Sequence, residues 1–333
     1  MKKKIWIASV CILVLLVCII CVAAISDGFH WPFSTAQDDC DHDYTMLVSV
    51  EATCTTHGEM TYFCNKCGYS MSAPYEAFGH SVKDGVCVLC GKEANTSENL
   101  EYQYSASLGG YIVMGPGACT DTNISISDTH MEKPVVMIAE KAFLGNQTIE
   151  SIEIPESVTI IENEAFAEFP NLTSVVFLSS AEGESSLERI ETKAFYNCRN
   201  LSGLVLPGNL AYIGEEAFKN CINIATTLVI PDSVKEIGKA AFFACYYIET
   251  LKIRSGVTQI AEDTFFCCDG VKKLILSNAL TSVGGWAFCS PSKIEAVHFG
   301  GTETEWDAIT FGHNVWGESE EYAPTTVIYN SQG

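Results

Sequence analysis

The chain has 333 residues, of which 41 are acidic and 19 are lysine or arginine, for a formal charge of −22. Recognition of nucleic-acid phosphates needs a basic stripe or patch; the sequence has none, which excludes a nucleic-acid partner. An acidic surface confers solubility and repels anionic partners at long range, and an apolar share of 47% is ample for a core.

The chain opens on Lys2-Lys3-Lys4, followed by an uncharged apolar run from Ile5 to Ile25. Such a run just spans a bilayer, with the lysines held on the cytoplasmic side. Val22-Ala23-Ala24 offers a small-residue cleavage site. Residues 1–25 are therefore a signal peptide or a single-pass signal anchor forming an N-terminal hydrophobic helix. Either way the rest of the chain is placed outside the membrane, secreted or on the cell surface. Cys11, Cys18 and Cys21 follow Val10, Val17 and Ile20, not the small residue that lipidation needs. A polar linker spans 26–39.

Residues 40–91 concentrate cysteine and histidine: Cys40, His42, Cys54, His57, Cys64, Cys67, His80, Cys87 and Cys90. Two C-x-x-C-G knuckles, Cys64 to Gly68 and Cys87 to Gly91, each place two thiolates on one metal. A closed structural zinc site takes four nitrogen or sulfur ligands. His42, Cys54, Cys64 and Cys67 make one such set. His80, Cys87, Cys90 and, by elimination, Cys40 make the second, with His57 left over. Disulfides are the alternative in an oxidising compartment. Setting aside the three cysteines of the apolar run, sixteen become an odd number, so a complete disulfide framework needs an outside partner. A module this small with few large apolar side chains needs a staple of some kind, so the expected zinc is structural. The words Ala52-Thr-Cys54-Thr, Thr61 to Gly68, Phe78-Gly-His80 and Val86 to Gly91 resemble the zinc-ribbon-like repeats of bacterial surface proteins; the second unit lacks the middle cysteine. A second linker is expected over 92–105.

From residue 142 to 288 one phrase recurs seven times: a small residue, then Phe. The phenylalanines are Phe143, Phe166, Phe195, Phe218, Phe242, Phe265 and Phe288, at spacings of 23, 29, 23, 24, 23 and 23. A fixed period of this size marks a solenoid, whose coils cannot bury an apolar face alone and must stack. The unit reads L-x-x-I-G-x-x-A-F-x-x-C-x-x-L-x-x-L-x-I-P. Its last part alternates apolar and polar residues, as a short strand does. Inward pairs recur from Ile152/Ile154 through Val175/Phe177, Leu204/Leu206, Leu228/Ile230, Leu251/Ile253 and Leu274/Leu276 to Val297/Phe299. A second apolar pair, such as Leu210/Ile213, precedes the Ala-Phe step, expected to pack inward in one helical or 3₁₀ turn. Coils about 4.8 Å apart give a slab roughly 30–35 Å long. The long spacing holds the polar stretch 179–186, a loop bulging from one coil.

Ile213-Gly to Cys221 and Ile237-Gly to Cys245 carry the pattern I-G-x-x-A-F-x-x-C and resemble the BspA-like leucine-rich repeat family. The resemblance runs over residues 100–333: Tyr111 to Ile126 look like the opening segment of such arrays, and Gly300 to Ile309 like their closing cap. It implies a β-rich solenoid of short stacked parallel strands with short helical turns. Its parts are an N-terminal cap over 106–137, repeats over 138–299 and a C-terminal cap over 300–333. It also implies adhesion to proteins of a host or neighbouring cell.

A solenoid builds a long surface, not a catalytic pocket. No G-x-S-x-G, H-E-x-x-H or phosphate loop is present, and no catalytic residue is assigned; His130, His298 and His313 are scattered. The outward strand position supplies the candidate binding face: Val176, Val205, Val229, Lys252 and Ile275, beside a row of small residues. β-propensity alone also explains valines there. Tyr196, Phe243 and Phe266, with Tyr246 and Tyr247 nearby, form a second candidate, since exposed aromatics anchor partners; packing over the coil edge is the alternative. Cys198, Cys221, Cys245 and Cys268 share one repeat position and read as small buried residues, not a redox ladder. Asn95, Asn123, Asn146, Asn171 and Asn200 match the glycosylation acceptor pattern, the last three at the repeat's own polar step. The leading expectation is a surface binding protein; a structural spacer of the cell envelope and, more remotely, a surface hydrolase are the alternatives.

Overall fold

The computed structural model describes residues 96–331, apart from 180–184, 291–293, 319–321 and 325, together with the backbone of five upstream strands. Tyr44–Val50, Gly58–Cys64 and Ser70–Tyr75 form an antiparallel sheet in chain order, and Val82–Lys83 pairs antiparallel with Val86–Cys87. Residues 1–25 lie outside the described residues. Among the described residues no helix is long and apolar enough to cross a membrane.

The repeats build two stacks of parallel strands, as their alternating pattern dictates. On one side, Asn123–Ser125, Ser151–Ile154 and Ser174–Phe177 pair in register. After a gap, Thr227–Ile230, Thr250–Ile253, Lys273–Leu276, Ala296–Phe299 and Thr326–Ile328 continue the stack. On the other side two-residue strands, from Ile160–Ile161 to Glu236–Ile237, follow Gly110–Gly115 and Lys133–Ile138. Inward residues of both stacks meet in one core: Ile152, Leu228, Leu251, Leu274, Ile161, Ile190 and Ile213 are at most 1% exposed. Phe177 alone among the inward pairs is half-buried.

The strand expected at Leu204/Leu206 does not form. Gly203 takes φ 64°, a conformation open to glycine that turns the peptide out of the ladder. Ser202 N–H still donates to Thr173 O, and Leu204 N–H to Ile224 O. The coil therefore stacks without strand geometry, and both leucines remain buried.

The Ala-Phe step is not a helical turn. The residue before it has positive φ in each coil (Lys141, Glu164, Lys193, Glu216, Ala240, Asp263, Trp286), and so does the residue two after Phe wherever φ is positive from Gly145 to Cys267. In the third coil, Lys193, Phe195 and Asn197 donate their N–H groups to Glu215, Ala217 and Lys219 of the next coil at 2.8–2.9 Å. The alternate residues Ala194, Tyr196 and Cys198 close four-residue turns within the coil, donating to Glu191, Lys193 and Phe195. A helix would spend all its N–H groups internally; left-handed residues aim every second one along the stack. Each costs about 1 kcal/mol for a non-glycine residue, against a satisfied backbone bond in a buried site.

Phe143, Phe166, Phe195, Phe218, Phe242 and Phe265 are at most 1% exposed and stack into a ladder that reaches Phe288, with ring centroids 5.1–5.6 Å apart. Trp316 closes it, 5.4 Å from Phe288. The repeat glycine fits this spacing: a Cβ on Gly214 would lie 2.5 Å from Glu191 C, and one on Gly238 2.4 Å from Glu215 N.

Residues 101–105, expected in a linker, form the strand Glu101–Ser105, antiparallel to Gly110–Gly115. The Tyr102-Gln-Tyr104 alternation suits a half-buried strand, and Tyr102 stacks on His130 at 4.2 Å. Ser97 N–H bonds Ser125 O and Leu100 is buried, so the array begins near residue 97. At the far end Thr302 and Glu305 make a capping box for the one-turn helix Glu303–Asp307. Its Trp306 packs on Phe299 and Phe311, each at 5.3 Å.

Candidate binding surface

The long strands present two outward rows because their side chains alternate faces. One runs Asn123, Ser151, Ser174, then Thr227, Thr250, Lys273, Ala296, Thr326; the other runs Ser125, Glu153, Val176, then Val229, Lys252, Ile275, His298, Ile328. Of the expected binding residues, Val205, Val229 and Lys252 are half-exposed on this side. Val176 and Ile275 are corrected: each is only 6% exposed. Val176 sits between Glu153 and the coil of residues 201–207. Ile275 has Lys252 and His298 as cross-strand neighbours and Lys273 two residues back on its own face. Lysine stems lie along apolar surface while their heads reach water, so these neighbours take the exposure that alternation assigned to the isoleucine.

Burial pushes the Lys252 and Lys273 ammonium groups below their ordinary value, with Arg254 and Lys273 adding repulsion at Lys252. Burial likewise lowers His298, with Lys273 adding repulsion, and its Nδ1 lies 3.2 Å from Ser331 Oγ. Lys273 and His298 share these outward rows without being among the expected binding residues. Their signal was the pairing register, which no single repeat shows.

The aromatic candidates lie along the Ala-Phe corner. Tyr196, Phe243 and Phe266 are half-buried, while Tyr246 and Tyr247 are 39% and 60% exposed. Phe243 and Phe266 stack at 5.0 Å, and the ammonium of Lys219 sits 4.8 Å from the Phe243 ring centre. Trp286, at the position before its Ala-Phe pair, continues the row 6.1 Å from Phe266. These rings occupy one another's faces, which leaves edges for a partner. The tyrosine pair is the accessible part.

A shallow groove of ≈ 510 Å³ lies between Gly145, Gln147, Glu168, Pro170, Asn197, Arg199 and Asn200. Much of its polar lining serves the fold. Asn200 donates to Pro170 O at 2.7 Å, Gln147 to Gly145 O at 2.7 Å, and Asn197 to Glu168 while accepting from Arg199 Nε. Asn171 likewise donates to Gln147 O at 2.6 Å, so the asparagines of the acceptor motifs at 171 and 200 have a repeat-building role.

The four register cysteines are buried. Cys198, Cys221, Cys245 and Cys268 each donate the thiol to the carbonyl of a Phe in the preceding coil, at 3.0–3.4 Å. Among the described residues no cluster of three or more metal-binding side chains occurs. Of the expected zinc ligands, Cys64 and Cys87 end described strands; Cys40, His42, Cys54, Cys67, His80 and Cys90 lie outside the described residues.

Comparison with known proteins agrees with this geometry. The BspA type leucine rich repeat region matches residues 116–226 and 188–315, in six copies. A leucine-rich repeat protein of T. pallidum is 25% identical, covering 58% of this chain and 87% of its own, with a TM-score of 0.51. One from Bacteroides ovatus is 20% identical, covering 72% of this chain and 71% of its own, with a TM-score of 0.50. No curated protein matches.

Proposed function

Because the chain belongs to the BspA type leucine rich repeat family, whose arrays are scaffolds for protein contact, we propose that it binds a protein partner through its long-strand face and performs no chemistry. The supporting observation is the paired outward rows, in unbroken register over five strands from Thr227 to Ile328. Stacked repeats present extended faces of this kind to partners. The N-terminal run of residues 5–25 supports display outside the cell, secreted or membrane-anchored, where the partner is a protein of a host or neighbouring cell.

Residues 40–91 carry, in this reading, a structural zinc module. The strands Gly58–Cys64 and Val86–Cys87 each end on the first cysteine of a C-x-x-C-G knuckle, a spacing that suits two thiolates on one metal. Bound zinc would supply folding energy there and no open position for catalysis.

Saturation binding of the full chain to immobilised matrix and cell-envelope proteins tests the strand face. Val205→Asp plus Val229→Asp, at the two accessible valines, is expected to abolish saturable binding with the unfolding midpoint little changed. Binding that survives the double substitution removes the strand face from consideration. Retention on the producer's own envelope with no saturable partner favours a structural spacer.

A further inference from the structure

We propose that the groove between Gly145 and Asn200 is a subsite for an uncharged oligosaccharide, held through its hydroxyls by Arg199, Glu168, Gln147 and Asn200 and running on toward Tyr246 and Tyr247. The groove is built from the Ala-Phe corner and not from the outward strand rows, so it stands independently of the protein contact proposed for that face.

The repeat itself forms the groove. Glu168 and Asn197 stand two residues after Phe166 and Phe195, both with positive φ. Gln147, Pro170 and Arg199 stand four residues after their phenylalanines, and Asn200 five after. Three successive coils therefore line a volume of ≈ 510 Å³, within the range of about 300–1,000 Å³ that small-ligand sites occupy. Gly145 takes the first coil's place in the row of Glu168 and Asn197, and a Cβ there would meet nothing within 4 Å. The groove is open at that end.

Internal bonds fix the lining and leave part of it unspent. Asn197 accepts from Arg199 Nε at 2.7 Å and donates to Glu168 Oε2, so guanidinium, amide and carboxylate are held as one chain. Asn200 and Gln147 each spend the amide nitrogen on a backbone carbonyl. Among the described residues, these bonds leave Arg199 Nη1 and Nη2 as donors and Glu168 Oε1, Gln147 Oε1 and Asn200 Oδ1 as acceptors. Sugar hydroxyls suit such a mixed set, because each donates once and accepts twice. Side chains already held in place lower the ordering cost of binding.

Charge and polarity narrow the class. The groove holds one guanidinium and one carboxylate, in a chain of net charge −22. The field of the whole molecule repels an anion, and a cation would meet Arg199. Pro170 is the one apolar side chain among the lining residues, so a peptide finds no pocket for its own apolar groups. Two coils on, the positions four and five after Phe242 carry Tyr246 and Tyr247, 39% and 60% exposed. Tyr247 N–H donates to Ile222 O, where the Asn200 and Asn223 amides donate to Pro170 O and Arg199 O. The groove and the tyrosines thus share one row of the corner. At about 4.8 Å per coil, the tyrosines lie roughly 10 Å beyond Arg199 along the stack. A tyrosine ring has an apolar body and a polar tip, which suits a sugar with C–H groups on its face and hydroxyls at its edge.

The test is isothermal titration calorimetry of the full chain with maltotetraose, cellotetraose and mannotetraose, and with the matching disaccharides. Saturable binding of at least one tetrasaccharide is expected. It should weaken about tenfold or more in Arg199→Met/Gln147→Ala at an unchanged unfolding midpoint, since hydrogen bonds to a charged donor are the stronger ones. Lys235→Gln, which also removes one positive charge, should retain it. Tyr247→Ala should bring the tetrasaccharide's affinity down toward the disaccharide's and leave the disaccharide unaffected; no change there overturns the extension to the tyrosines. No saturable binding across the panel overturns the subsite, and so does binding indifferent to Arg199→Met/Gln147→Ala. Binding of sialyllactose in place of the neutral sugars overturns the uncharged class. Sugar binding lost in Val205→Asp/Val229→Asp at an unchanged unfolding midpoint would put the ligand on the strand face and overturn the groove.

Discussion

The rings of Phe195 and Phe218 lie parallel to within 2°, with centroids 5.2 Å apart, while Phe195 N–H donates to the Ala217 carbonyl at 2.8 Å. Side chain and backbone thus bind the same two coils along the same direction. The spacing is close to that of neighbouring strands, so the turn corner and the sheets stack at one pitch.

This ladder makes Phe218→Ala costly. Its ring has Phe195 on one side and Phe242 on the other, and emptying so large a buried site costs about 3–5 kcal/mol. Phe143 has one described ring neighbour in the ladder, Phe166, so Phe143→Ala should cost less. Urea unfolding of the two variants measures the difference. Equal losses would mean that the rings act as independent fillers and not as a stack.

The buried thiols predict a loss of stability at alkaline pH. Burial pushes Cys221, Cys245 and Cys268 above the ordinary thiol value of 9.0. Above that pH the unfolded chain releases these protons and the folded chain keeps them. The unfolded state then binds fewer protons, so stability present below about pH 9 falls as pH rises, by at most about 1.4 kcal/mol per pH unit for each thiol. The urea midpoint followed from pH 8 to 10.5 should fall more steeply in the native chain than in Cys221→Ala/Cys245→Ala/Cys268→Ala. Identical slopes would show that the thiols ionise alike in both states. Cys267, pushed up to about 11 by burial and by Asp269, should alkylate slowly at neutral pH.

Zinc in the upstream module is tested by metal analysis and chelation. The purified chain should carry zinc, and its removal should abolish protection from proteolysis across residues 40–91 while the repeats keep their unfolding midpoint. Absence of zinc together with oxidised cysteines would assign the module to disulfides.

The repeat by itself determined the architecture. A Phe every 23 or so residues, an alternating tetrapeptide and a second apolar pair specify coils that must stack, and each inward pair was legible because burial selects apolar residues at fixed phase. The register cysteines were legible as buried small residues, though not as thiol donors to Phe carbonyls. What only the tertiary structure decided depends on the neighbouring coil. The Ala-Phe corner reads as a helical turn locally, yet Lys193 and Asn197 turn left-handed because their N–H groups have acceptors in the next coil. Leu204 and Leu206 fit the strand pattern, yet Gly203 breaks the ladder. The alternation that named Ile275 an exposed residue sees one strand; its burial, and the gathering of Lys252, Lys273 and His298 around it, arise across three strands held in register. Periodicity along a chain fixes which face a residue takes, while exposure and charge partners on that face are set by residues a full coil away.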